Sequence, residues 1–158
     1  MRLDEICRLK HKDIFDDLFH IYEGKTDAGS RVVPVHPVLK KIIVSNDSDE
    51  EEYILKGLVS GGYDKKRSGN FQKRHGRTRK KVNLPKGVVF HSLRNTVITK
   101  LHNNLIPLYN IEQIIGHKQK SVAFGVYSSG LAVEKLSDII NGISYGNTID
   151  NLILNYKI

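Results

Sequence analysis

The chain has 158 residues, 25 Lys and Arg against 17 Asp and Glu for a formal net charge of +8, and 39% apolar residues. That is enough sequence for one domain with a real core. No apolar stretch approaches a membrane span, the opening Met1-Arg2 with Asp4 and Glu5 does not read as a secretory leader, and the single cysteine, Cys7, excludes an internal disulfide or a cysteine-rich zinc site and fits a reducing compartment.

Residues 2–10, RLDEICRLK, read as a short helix with Leu3, Ile6 and Cys7 on an apolar stripe. Arg2 and Glu5 are neighbours at i, i+3. No cap precedes Arg2, so the chain reads as starting in mid-domain. On spacing alone the Arg2–Glu5 pair is an ordinary surface ion pair. Residues 18–35 read as a β-hairpin, LFHIY and RVVPV around the polar turn EGKTDAGS. Lys25 sits at its tip, where a lysine is by itself only a solvated charge. Pro34 marks the second strand as an edge or its end. HPVLKKIIV, residues 36–44, suits a short helix with Pro37 at its first position.

Residues 45–70 read as loop, with a helical piece around 53–59. The acidic run Asp47, Asp49, Glu50, Glu51 and Glu52 reads as a solvated part of it. Between residues 65 and 111 there is no acid at all. Residues 71–83, FQKRHGRTRKKVN, read as a basic helix broken by Gly76, with Lys73, Arg74, Arg77, Arg79, Lys80 and Lys81 as candidates to lie on a phosphate backbone. Such a one-signed block points to a polyanion; a merely solvated basic surface is the alternative. His75 reads as a surface residue.

The stretch 91–127, HSLRNTVITKLHNNLIPLYNIEQIIGHKQKSVAFGVY, organises the rest. A helix starting near His91 puts His91 and Arg94 on one face, and Leu93, Val97, Leu101 and Leu105 on another that should be buried. His91 at a helix N-terminus favours an anion, and Arg94 offers a planar fork for two phosphate oxygens. Pro107 opens a second helix, which Gly116 ends. His117 then lies on a turn. Residues 118–130 have no helical period, and Gly125 and Gly130 flank Tyr127. Residues 131–143 form an amphipathic helix, and a further apolar stripe follows at 148–158. His11, His20, His36 and His102 read as structural or surface residues. Tyr109 and Tyr145 are the nearest rivals to Tyr127.

HSLR at 91–94, Gly-His at 116–117 and Val-Tyr-Ser at 126–128 together resemble the second box of the tyrosine recombinases, the phage integrase family, in order and in separation. Arg2-x-x-Glu5-Ile6 resembles the family's first box. The run from Lys25-Thr26 through Gly29 to Arg31 and Pro34 looks like its lysine-bearing hairpin. The resemblance covers most of the chain, from Arg2 to about Ile143.

It implies a mainly α fold with a small antiparallel β-sheet, an N-terminally truncated catalytic domain over residues 1–145, and a C-terminal tail over 146–158 that docks in trans. It also implies strand cleavage by transesterification. Tyr127 attacks the scissile phosphate to give a 3′-phosphotyrosyl link. Arg2 and Arg94 clamp the non-bridging oxygens, His117 donates a further hydrogen bond, His91 takes the phenol proton, and Lys25 protonates the leaving 5′-oxygen. Glu5 orients Arg2. Fixed cations do the work of metal ions, so neither cofactor nor metal is expected. The implied partners are double-stranded DNA, further copies in a tetramer on paired sites, and a preceding DNA-clamping domain; the implied setting is the bacterial cytoplasm. A DNA-binding fragment that does not cut is the competing reading. A type IB topoisomerase-like enzyme is a weaker one.

Overall fold

A computed structural model describes residues 1–22, 30–43, 49–117 and 131–155. The hairpin tip with Lys25 and the segment with Tyr127 lie outside the described residues. Helix α1 (Leu3–Arg8) leads through a 3-10 turn (His11–Asp13) into strands β1 (Ile14–Phe15), β2 (Leu18–Ile21) and β3 (Arg31–Pro34). Helices α2 (Pro37–Ile43), α3 (Ser68–Lys81), α4 (Phe90–Asn103), α5 (Leu108–Ile115), α6 (Val133–Asn141) and α7 (Asn147–Leu154) follow. The architecture is α+β, helices dominating a three-stranded antiparallel sheet in the order β1-β2-β3. No described helix is long and apolar enough to cross a membrane.

Two apolar clusters hold the chain. Alternation along β2 and β3 turns Phe19, Ile21 and Val33 to one side, where they bury with Leu9 and Val35. The second cluster joins Leu101 of α4, Ile111, Ile114 and Ile115 of α5, and Leu136 and Ile140 of α6, with Ile143 beyond it. Each such buried side chain contributes roughly 1.5–3 kcal/mol of transfer free energy. Helix α6 also packs on β3, which links the two clusters. His36 adds a tie, its Nε2 lying 2.9 Å from the Ile143 carbonyl oxygen. Helix α7 rests on α2, and the loop before it is fastened by Ser144 donating to Asp150 (2.6 Å) and Lys100 donating to the Ser144 carbonyl (2.6 Å).

Several sequence expectations are corrected. Helix α3 runs unbroken through Gly76. A glycine costs about 1 kcal/mol in a helix interior, and the docking of Phe71 and His75 on Phe90 outweighs it: Phe71 and Phe90 meet edge to face at 4.9 Å, and His75 lies 5.7 Å from Phe90. His75 is therefore a half-buried packing group rather than a surface residue. No helix forms around 53–59. The backbone there finds distant partners instead, Ile54 N–H donating to the Leu9 carbonyl (3.0 Å). Arg67 fixes the same loop, with its guanidinium 3.5 Å over the Tyr53 ring and Nη2 donating to the Leu55 carbonyl (2.9 Å). Leu93 on α4 and Leu105 just beyond its end are exposed. The inward face is Arg94, Val97, Ile98 and Leu101, so a charged residue occupies a position that periodicity assigns to the core.

Candidate functional site

Helix α5 ends where two arginines from distant parts of the chain meet. Gly116 takes the left-handed conformation, φ 72° and ψ 46°. The N–H groups of Gly116 and His117 then both donate to the Glu112 carbonyl, at 2.9 and 3.0 Å. This closes the helix and turns His117 out to solvent. The next carbonyls have no helical partner. Arg94 Nη2 donates to the Ile115 carbonyl (2.7 Å), and Arg2 Nη2 donates to the Gly116 carbonyl (3.1 Å). Cations at a helix C-terminus also meet the negative end of its dipole.

Gly116 is needed for a second reason. A β-carbon placed there would sit 2.6 Å from Arg31 Nη1 and 2.7 Å from Arg31 Nε. Arg31 is the residue that sequence reasoning left without a role. It opens β3 and shares a face with buried Val33, so the signal was an arginine at an inward position of an apolar strand. Its guanidinium donates twice to Glu5, Nη2 to Oε2 at 2.7 Å and Nη1 to Oε1 at 3.3 Å.

Glu5 holds α1 in place as well. Its Oε2 accepts from the Arg2 backbone N–H at 2.6 Å. The side chain of Arg2 is a looser partner, 3.6 Å from Oε1. Burial presses the Glu5 carboxyl upward, but the bonds from Arg31 and the Arg2 backbone hold it below its ordinary value. For Arg94, burial is the first cause lowering its guanidinium from the usual value; Arg2 and Arg31 add to this and Glu5 opposes it. Three guanidiniums thus share one carboxylate in a half-dry setting. Arg94 Nη1 and Arg31 Nε are buried with no hydrogen-bond partner among the described residues. A net positive cradle with such donors has the chemistry to receive an anion.

The remaining candidates are distributed around this cradle. His91 is exposed at the start of α4, one turn before Arg94. It lines a cleft of about 440 Å³ with Leu3, His75, Arg79 and Phe90. On α3, Lys73, Arg77, Lys80 and Lys81 are exposed and lie on one side at i, i+4, i+7 and i+8. Arg74 and Arg79 differ from them, since Arg74 donates to the Gly57 carbonyl and Arg79 to the Val88 carbonyl (3.4 Å). Tyr145 is engaged elsewhere, with Lys100 5.0 Å over its ring and its hydroxyl pushed up by burial and then by Asp150. Among the described residues no three His, Cys, Asp or Glu side chains gather as a metal site would need.

The phage integrase family model matches residues 1–131, which takes in both boxes and the whole cradle. The chain belongs to the phage integrase family. It is therefore a tyrosine recombinase, of a family whose general work is site-specific recombination and whose partner is DNA. No curated protein and no solved structure matches the chain. Within this integrase the spacing of the boxes has a physical basis: the Gly-His pair supplies the turn, and the two box arginines hold its carbonyls.

Proposed function

We propose that this integrase cuts and rejoins DNA strands by transesterification at the cradle around Gly116, with Tyr127 as nucleophile. The attack builds negative charge on the non-bridging oxygens of the scissile phosphate. Arg2 and Arg94 receive that charge as preorganised donors, with His117 beside them. A phenol has a pKa near ~10, and His91 accepts the proton it must lose. The new bond joins the Tyr127 oxygen to phosphorus, the bond to the 5′-oxygen breaks, and Lys25 protonates that leaving oxygen. The link keeps the energy of the cut bond, so a second 5′-hydroxyl reverses the step on a new strand.

One observation carries this reading. Arg2 and Arg94 belong to different boxes yet donate to adjacent carbonyls, Gly116 and Ile115, immediately before His117. Covalent trapping on a suicide DNA substrate tests it. The native chain should form an adduct and Tyr127→Phe should form none; an adduct in the variant would reassign the nucleophile. DNA binding without any adduct from the native chain would favour the non-cutting reading. The proposal extends to self-association on paired DNA sites through residues 146–158. Sedimentation with DNA after their deletion tests that, and unchanged assembly removes the tail from the account.

A further inference from the structure

We propose that Arg31 is a positioning residue of the cleavage site, whose task is to occupy Glu5 so that the Arg2 guanidinium stays turned toward the Gly116 carbonyl and the phosphate. The inference rests on the cleavage reading above for its consequence, but its geometry stands alone. Glu5 is the one carboxylate beside these three guanidiniums among the described residues. Arg31 takes both of its oxygens, at 2.7 and 3.3 Å, and leaves the Arg2 guanidinium as the looser ion-pair partner, at 3.6 Å. The Arg31 and Glu5 side chains are 13% and 8% exposed, so water screens their attraction little. Remove Arg31, and the nearest cation for that carboxylate is Arg2, three residues away on the same turn of chain. An Arg2 drawn from this loose pairing into a close one leaves the Gly116 carbonyl, and more of its charge is then spent on Glu5 before it meets a phosphate.

Arg31 has a second hold on the same turn. Its guanidinium fills the space where any side chain at position 116 would stand. The pair Arg31–Glu5 is thus a floor under the Gly116–His117 turn as well as a decoy for the carboxylate. These two tasks separate by rescue. If occupying Glu5 is the task, neutralising Glu5 makes Arg31 dispensable. If only the floor counts, removing both partners is no better than removing one.

The experiment measures single-turnover cleavage of a suicide DNA substrate for the native chain, Arg31→Gln, Glu5→Gln and the double variant. In parallel, NMR follows the Arg2 guanidinium resonances in the same four proteins. Arg31→Gln should lose about a hundredfold in rate, as for loss of one charge-stabilising donor, with the Arg2 resonances shifted toward a closer ion pair with Glu5. The double variant should regain at least tenfold and return Arg2 to its native resonances. A double variant as slow as Arg31→Gln, with Arg2 unmoved throughout, overturns the assignment. Should Arg31→Gln fail to fold, Arg31→Lys with and without Glu5→Gln makes the same comparison with charge retained. A native chain that makes no adduct contradicts the cleavage reading instead; the Arg2 resonances still decide whether Arg31 keeps Glu5 off Arg2.

Discussion

The α3 stripe and the cradle at the end of α5 are both cationic, yet they are made in opposite ways. Lys73, Arg77, Lys80 and Lys81 stand in water on one side of a helix. Arg94 and Arg31 are largely enclosed, and each keeps a buried N–H with no partner among the described residues. Solvated cations cost little to place and attract any polyanion at long range. Enclosed ones cost desolvation, repel one another, and are held in direction by the Ile115 carbonyl and the Glu5 carboxylate. The contrast separates affinity from chemistry: the stripe should govern how tightly DNA is held, the cradle what happens to one phosphate.

Substitutions in the two regions should therefore fail in different assays. The largest effect is expected at Arg94→Lys. It keeps the charge but loses the fork that holds the Ile115 carbonyl while leaving Nη1 free, so strand cleavage should fall by about 10²–10³-fold with DNA affinity little changed. Near-normal cleavage would place the chemistry elsewhere. Next comes Gly116→Ala, which forces an L-residue into φ 72° and pushes against Arg31. The left-handed backbone alone costs about 1–2 kcal/mol, and displacement of Arg31 adds to it. Thermal denaturation should show a Tm lower by about 5 °C or more, with cleavage lost as well; an unchanged Tm would mean that the turn is not held as described. The smallest effect on chemistry belongs to the stripe. Neutralising Lys73, Arg77 and Lys80 together should weaken binding equally on all sequences and lower the salt slope of log K by roughly 2 to 3. A cleavage defect that persists at saturating DNA would break the division of labour.

The two regions also differ in how far the sequence disclosed them. Helix α5 and its stop are local matters: Pro107 begins the helix, Gly116 ends it, and both could be read directly. The basic stripe was legible as charge, although the helix that carries it crosses Gly76 because Phe71, His75 and Phe90 pack around it. The cradle was only half legible. Motif spacing singled out Arg2, Arg94 and His117, whereas Arg31 was seen only as part of the hairpin pattern and given no role. Its importance comes from a tertiary approach to Gly116 that no periodicity encodes. The buried face of α4 was misjudged for a related reason, because Arg94 takes an inward position that pattern reading gives to leucine. Around 53–59 the failure was one of partners, since Arg67 and Leu9 satisfy that backbone from afar.

The central claim is that the enclosed guanidiniums act on the charge of one phosphate. The most direct test compares single-turnover cleavage by the native chain and Arg94→Ala on two DNA substrates. One carries an ordinary scissile phosphate and the other a methylphosphonate, which lacks one charged oxygen. The variant should lose about 10²-fold or more on the phosphate and come within about tenfold of the native chain on the neutral substrate, where there is less charge to receive. An equal deficit on both would contradict the account, because Arg94 would then be supporting the fold and not the reacting phosphate.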